Sequence, residues 1–286
     1  MAWTVSFMPR PWQRFTSMPV EVCPGDNDRM TSPARTGEPD IARVASLFAN
    51  GTRARILMAL AGGGSLPASV LAEHAGVTPQ AASTQLNRLS QAGLITVRPS
   101  GRNRYYELAD RRIAELMESL AALAPAQPVA RTLRASSRSA ALRRARVCYD
   151  HTAGLLGVTI TEALLSSGAL VPVGGTEHTA GQTAESEHPY RLGPAAIPVL
   201  TGLGVPESHL TDDQERPLLS FCLDWTEQRH HLAGRLGADL LDVFSTAGWI
   251  TRAANTRALR LTSAGEDELA RRLGMSGTDA APAAHP

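Results

Sequence analysis

The sequence predicts a mainly α chain with small β-hairpins, an α+β class. Three observations lead there. Between residues 39 and 125, apolar residues recur at helical spacing in short blocks separated by glycine and proline. After Gly93 the period shortens to two on both sides of Gly101, the mark of a hairpin. Beyond residue 147, two segments share the same cues in the same order, so one helix-and-hairpin unit is expected twice.

Residues 1–38 carry Pro11, Pro19, Pro24, Gly25, Pro33 and Gly37 and no period, which predicts a disordered tail. Pro39 and Asp40 then offer a helix start, and Ile41, Val44, Ala45, Leu47 and Phe48 should face a core. Gly51 interrupts. A second helix over about 52–61 should bury Ile56, Leu57 and Leu60 and end at Gly62, Gly63 and Gly64. A short third helix opens near Pro67 and holds Val70, Leu71 and His74. Thr78 caps a fourth, with Pro79 at its first position; it should bury Ala82, Leu86 and Leu89 and stop at Gly93. Residues 94–98 read as a strand, 99–103 as a turn and 104–108 as the return strand. Asp110 caps a helix carrying Ile113, Leu116, Met117, Leu120 and Leu123, closed by Pro125. Residues 126–146 hold six arginines and no acid, an Arg-rich linker or helix.

The rear half repeats itself. His151-Thr-Ala-Gly-Leu-Leu-Gly157 matches His231-Leu-Ala-Gly-Arg-Leu-Gly237, and Cys148-Tyr-Asp150 matches Cys222-Leu-Asp224. In each copy a helix, a short strand after Gly168 or Gly248, a return strand and a last helix are expected. Repeat 1 spans 147–205, with a loop at 172–189, and repeat 2 spans 206–275; residues 276–286 form a second disordered tail.

Formal net charge is +1, but it is unevenly placed. Lysine is absent. Residues 1–146 hold 19 Arg against 10 acids; residues 147–286 hold 9 Arg against 17 acids. A basic front half suits a polyanion, and an acidic rear half suits neither DNA nor an anionic lipid surface. No run of apolar residues is long enough to span a membrane, the opening residues lack the pattern of a secretory leader, and 3 Cys are too few for a disulfide scaffold. A cytoplasmic protein is expected.

Thr78, Gln80, Ser83, Thr84 and Asn87 lie off the buried stripe of the fourth helix, where short polar side chains can read base edges in a major groove. Arg88 at the helix edge suits a phosphate. Arg98, Arg102 and Arg104 surround the hairpin tip, where they can enter a minor groove or pair with phosphates. The plain alternatives are a solvated helix face and an ordinary exposed hairpin.

Leu89-Ser-Gln-Ala-Gly-Leu-Ile95 followed by Gly101-Arg-Asn-Arg-Tyr-Tyr-Glu-Leu108 resembles the winged helix-turn-helix repressors of the ArsR/SmtB family. Phe48-Ala-Asn-Gly-Thr-Arg-Ala-Arg-Ile-Leu-Met-Ala-Leu60 is similar to their first-to-second helix signature. The likeness covers about residues 40–124. It implies a winged helix-turn-helix domain over 39–125 with Thr78 to Arg88 as recognition helix and Gly101 to Arg104 as wing. It also implies a homodimer pairing through about 40–50 and 110–124, and a palindromic double-stranded DNA operator released when an effector binds. The familiar metal sites of the family are missing, because the third helix has no cysteine and the last no histidine. The extra residues resemble an actinobacterial-type branch with a duplicated C-terminal extension, a tandem of winged-helix-like repeats.

The repeats offer Cys148, Tyr149, Asp150, His151, Cys222, Asp224, Trp225 and His231 as candidate effector-binding residues. Thiolate, imidazole and carboxylate together would suit zinc or another borderline metal. However, His151 follows Cys148 by three residues and His231 follows Cys222 by nine, so both pairs cannot chelate from a regular helix. Three readings stay open: structural hydrogen bonding, metal binding, and sensing of a thiol-reactive or small hydrophobic effector. Tyr149, Leu155, Phe221, Leu223, Trp225 and Trp249 are the apolar residues that could line a pocket. The function expected is an effector-responsive, non-catalytic DNA-binding repressor. A protein-binding scaffold built from winged helices, or a thiol- or metal-dependent enzyme, is the alternative.

Overall fold

The first expected helix, α1 (Ile41–Phe48), is present in the computed structural model, which describes residues 38–101, 103–125, 133–173, 189–210 and 216–275. Its burial corrects the expectation. No residue of α1 is buried; Leu47 and Phe48 are half-covered, while Ile41 and Val44 stay exposed. An eight-residue helix at the edge reaches the core only through its last turn, and no other described element covers the rest. Both tails, at 1–37 and 276–286, lie outside the described residues.

The next three helices bury the predicted stripes. They are α2 (Gly51–Leu60) with Ile56, Leu57 and Leu60, α3 (Ala68–Ala75) with Leu71, and α4 (Pro79–Gln91) with Ala82, Leu86 and Leu89. Asn50 caps α2, its side chain accepting from the Thr52 and Arg53 N–H groups, both at 3.1 Å. Arg53 donates to the Leu47 and Ser46 carbonyls at the end of α1 (2.7 Å each) and to Gln85 Oε1 on α4 (3.0 Å). One short string, Asn-Gly-Thr-Arg, therefore starts one helix, ends another and fixes a third.

β2 (Ile95–Ser100) and β3 (Asn103–Leu108) pair antiparallel out to Ser100↔Asn103. Pairing runs past the 99–103 turn that was expected, because Pro99 and Ser100 remain in register with β3. A two-residue strand β1 (Leu66–Pro67) joins the other side of β3, giving the order β1-β3-β2. It is too short to carry a period. Asp110 caps α5 (Arg111–Leu123), accepting from the Arg112 N–H at 2.8 Å.

Helix α6 (Leu133–Arg144) occupies the Arg-rich stretch. Beyond it, a hairpin, a helix, a second hairpin and a helix appear twice. The first set is β4 (Arg146–Cys148), β5 (His151–Ala153), α7 (Leu155–Ser166), β6 (Leu170–Pro172), β7 (Tyr190–Leu192) and α8 (Ala196–Leu203). The second is β8 (Ser220–Leu223), β9 (His230–Ala233), α9 (Gly234–Thr246), β10 (Ile250–Arg252), β11 (Leu259–Leu261) and α10 (Ser263–Leu273). Every hairpin pairs antiparallel. The leading hairpins were not foreseen, and they correct the placement of the Cys, Asp and His motifs, which sit on strands and turns rather than in a helix. Arg146, expected in the linker, opens β4. Most of the 172–189 loop, at 174–188, lies outside the described residues.

The two sets interlock. Helix α7 packs on β9 and α9 packs on β5, over a core of Leu156, Ile160, Leu164, Leu236, Leu240 and Phe244. A Cβ on Gly157 would lie 2.3 Å from the Thr152 carbonyl oxygen and 3.5 Å from His231 Cβ. One on Gly237 would lie 2.8 Å from the Leu232 carbonyl oxygen and 3.1 Å from His151 Cβ. The last glycine of each repeated motif therefore lets its helix close on the strand of its own leading hairpin, and Gly237 also lies close against the other copy's His151.

From Ile41 onward the chain is one compact unit. The Tyr149 N–H donates to the Ala61 carbonyl at 2.7 Å, Arg252 to the Gly62 carbonyl at 3.3 Å, and His74 Nε2 lies 2.7 Å from the Asn255 carbonyl oxygen. These contacts hold the ends of α2 and α3 against the repeats.

Candidate nucleic-acid interface and cysteine–histidine cluster

All six residues named on α4 and its cap are exposed: Thr78, Gln80, Ser83, Thr84, Asn87 and Arg88. Two of their hydroxyls already serve the helix. Thr78 Oγ1 accepts from the Ala81 N–H at 3.3 Å, and Thr84 donates to the Gln80 carbonyl at 3.2 Å. Gln80, Ser83 and Asn87 leave a polar face one helical turn apart, beside an N-terminus whose N–H groups favour anions. Val77, just before the cap, packs on the front core and so fixes the entry of α4.

On the hairpin, Arg104 is exposed, and Arg98 is exposed and ion-paired with Glu107 at 2.7 Å. Arg102 lies outside the described residues. Tyr106 is buried in the front core while Tyr105 is half-covered, so the alternation along β3 anchors the hairpin to the helices.

In the repeats, four of the eight candidates converge. Cys148 pairs across β4–β5 with His151, and Cys222 pairs across β8–β9 with His231. The unequal spacing that looked incompatible on a helix is only a difference in hairpin loop length. One ligating-type atom from each of the four lies within 4.8 Å of the others. Cys148, His151 and His231 are buried and Cys222 is half-buried. The Nε2 atoms of His151 and His231 stand 3.2 Å apart. A hydrogen bond to Cys222, together with burial, pushes the Cys148 thiol up to about 12. Burial opposes the charged form of His151, but Cys148 and Asp150 outweigh it and raise its pKa above the ordinary imidazole value.

The two aspartates stand behind the histidines. Asp150 Oδ1 lies 3.2 Å from His151 Nδ1, and the Arg216 guanidinium grips both Asp150 oxygens at 2.6 and 3.1 Å. Asp224 Oδ2 lies 3.3 Å from His231 Nδ1. Asp224 also accepts from the Gly154 N–H (2.7 Å), Arg146 (3.0 Å), and the Thr226 hydroxyl (2.6 Å) and N–H (2.9 Å). Burial would raise its pKa; His231, Arg146 and Thr226 hold it well below the carboxylate range.

Tyr149 and Trp225 are elsewhere engaged. Tyr149 makes the hairpin turn at φ 59° and donates its N–H to α2. The Arg146 guanidinium carbon lies 4.5 Å over the Trp225 ring. The apolar residues expected around one pocket are dispersed: Phe221 meets Tyr190 edge-on, and Trp249 stacks on Phe244.

Sequence reasoning missed the ions that join front to rear. Glu118 of α5 is buried, 2.7 Å from Arg257 and 3.4 Å from Arg146. Arg146 is fully buried and links Glu118 to Asp224. Burial works to raise the Glu118 pKa, and Arg257 and Arg146 outweigh it, keeping the carboxylate below its ordinary value. No local pattern marks these residues, since their partners are 28 and 78 positions away from Arg146.

Comparison with known proteins gives a consistent result. A model described as a helix-turn-helix domain matches residues 48–98. The Uncharacterized HTH-type transcriptional regulator YdfF of Bacillus subtilis strain 168 is 36% identical over 228 residues, 80% of this chain and 94% of that protein. The HTH-type transcriptional regulator CmtR of Mycobacterium tuberculosis is 37% identical over 95 residues, 32% of this chain and 80% of that one. Among solved structures, a homodimeric winged helix-turn-helix DNA-binding domain from Mycobacterium bovis is similar at 30% identity and a TM-score of 0.27. That likeness covers 31% of this chain and 89% of that one.

Proposed function

Because the chain belongs to the ArsR/SmtB-type helix-turn-helix transcriptional regulators, and is thus a DNA-binding regulator, we propose that it works as a cytoplasmic, effector-responsive repressor holding a palindromic operator as a homodimer. In this reading 39–125 binds DNA, 126–146 connects, and the repeats at 147–205 and 206–275 form the effector domain. The carrying observation is the pairing of a polar, wholly exposed face on α4 with an arginine-bearing hairpin. Gln80, Ser83 and Asn87 read base edges; Thr78, Thr84 and Arg88 hold phosphates; Arg98, Arg102 and Arg104 form the wing contact.

A duplex-binding titration over a salt series tests this. Arg104→Ala is expected to weaken every duplex alike and to lower the salt slope by about one. Gln80→Ala is expected to cost roughly 1–3 kcal/mol on the operator and little on random duplex. An unchanged salt slope, or equal loss on both duplexes, would count against these roles. A scaffold that uses its winged helices on proteins would bind no duplex at low salt.

Exposed apolar side chains on α1 (Ile41, Val44) and α5 (Leu116, Leu120, Leu123) support pairing with a second copy. Leu120→Arg is expected to leave a monomer in sedimentation equilibrium and to reduce operator affinity through lost bivalency; a dimer that persists would place the interface elsewhere. The reading is non-catalytic.

A further inference from the structure

We propose that Cys148, His151, Cys222 and His231 form a tetrahedral two-cysteine, two-histidine site for a divalent, borderline-soft metal ion of the zinc class, each repeat supplying one cysteine and one histidine. Its service as the effector site rests on the regulatory reading above; the binding itself does not.

Donor chemistry is the first support. Two thiols and two imidazoles, with no carboxylate among them, form a set that zinc takes in closed sites. Distance is the second. An ion with metal–nitrogen bonds of about 2.0–2.1 Å in a tetrahedron sets its two nitrogens roughly 3.3–3.4 Å apart. The two Nε2 atoms stand at 3.2 Å. Sulfur bonds of about 2.3 Å set two sulfurs roughly 3.8 Å apart, inside the 4.8 Å that bounds all four donors.

Ring orientation is the third support, and it is independent of the cluster. His151 Nδ1 lies 3.2 Å from Asp150 Oδ1, whereas His231 Nδ1 lies 3.3 Å from Asp224 Oδ2 and is buried without a hydrogen-bond partner among the described residues. The Asp150 carboxylate orients the His151 ring so that its Nε2 faces the cluster. The two Nε2 atoms then stand 3.2 Å apart in a buried place. Two ring nitrogens so placed share one cation between them, a proton or a metal ion. A carboxylate behind the imidazole, as Asp150 stands behind His151, is the arrangement a metal-bound histidine uses.

Symmetry is the fourth. Cys, Asp, His and the final Gly recur at corresponding places in both copies. Gly157 and Gly237 let each helix close on its own leading hairpin, and a Cβ there would stand 3.5 and 3.1 Å from the opposite histidine's Cβ. A structural histidine pair would not call for matched thiols in register on both hairpins.

The test uses the full chain, reduced and stripped of metal with a chelator, then equilibrated with zinc and freed of excess. One zinc per chain is expected by elemental analysis. Cobalt(II) in its place should give the intense visible bands of tetrahedral thiolate coordination. Cys222→Ser, at the half-buried position, should lower retained zinc at least tenfold, whereas Cys23→Ser should leave it unchanged. Should Cys222→Ser fail to fold, the wild-type thiols answer: two of three should resist a thiol reagent until chelator is added. Stoichiometry far below one, octahedral cobalt bands, a Cys148–Cys222 disulfide in the reduced preparation, or thiols indifferent to chelator would each overturn the proposal. Duplex binding enters none of these readouts, so a chain that binds zinc and ignores DNA would overturn only the regulatory reading.

Discussion

Arg146→Ala is expected to lower folding stability by about 3–5 kcal/mol, the cost of breaking a buried ion network by removing one partner. Arg146 has no exposed surface and faces two carboxylates, Glu118 at 3.4 Å and Asp224 at 3.0 Å, with Trp225 beneath it. Taking it away leaves Asp224 charged in the interior and opens a cavity beside the Trp225 ring. Glu118 keeps Arg257 at 2.7 Å, so the loss falls mainly on the Asp224 side. Arg146→Met, which fills the volume, is expected to cost less than Arg146→Ala. Arg143→Ala, which removes an exposed guanidinium paired with a largely covered Glu227, should stay within about 1 kcal/mol. Urea denaturation of the four proteins measures the order; a change under about 1 kcal/mol for Arg146→Ala would show the network to be immaterial to folding.

The same network sets an acid limit. Glu118 is held below its ordinary value of 4.5 in the folded chain. Its contribution is therefore present above that pH and is lost as pH falls through the folded value. Glu118→Gln is expected to flatten the acid limb of the stability curve while lowering stability near neutrality.

The second large effect concerns two glycines. Gly157→Ala and Gly237→Ala are each expected to destabilise by roughly 1–3 kcal/mol, since a helix must back away from a strand backbone it touches. The clash with the Thr152 carbonyl at 2.3 Å makes Gly157 the worse site, and the contact at Gly237 is 2.8 Å. Gly202→Ala in α8 is the contrast: no atom lies within 4 Å of its Cβ position, so a gain of about 0.4–1 kcal/mol is expected. Thermal melts of the three variants should split in sign. A gain at Gly157 would mean that α7 and β5 are not in the contact described.

The front of the molecule was largely legible in the sequence because its signals are local. Thr78-Pro79 starts α4, and the stripe of Ala82, Leu86 and Leu89 is buried where the helical period puts it. β1 was not legible, since two residues have no period and owe their strand to β3. α1 misled, because apolar spacing says that a face wants cover without saying from where.

At the cluster, the residues were legible and their arrangement was not. Cys148, His151, Cys222 and His231 stand out by repetition, yet sequence spacing measures distance along the chain. A hairpin cancels that distance whether its loop holds two residues or six. Glu118 and Arg146 gave no sign at all: on their own elements they look like ordinary solvated charges, and only the fold brings their partners to them.

Helix α5 belongs to both halves, with Met117 in the front core and its neighbour Glu118 among the arginines of the rear. Recombination that exchanged the rear portion at the 126–132 joint would hand this helix a stranded anion. Inheritance of the two halves is thus tied at residue 118, because a rear portion without those arginines would bury the carboxylate unpaired.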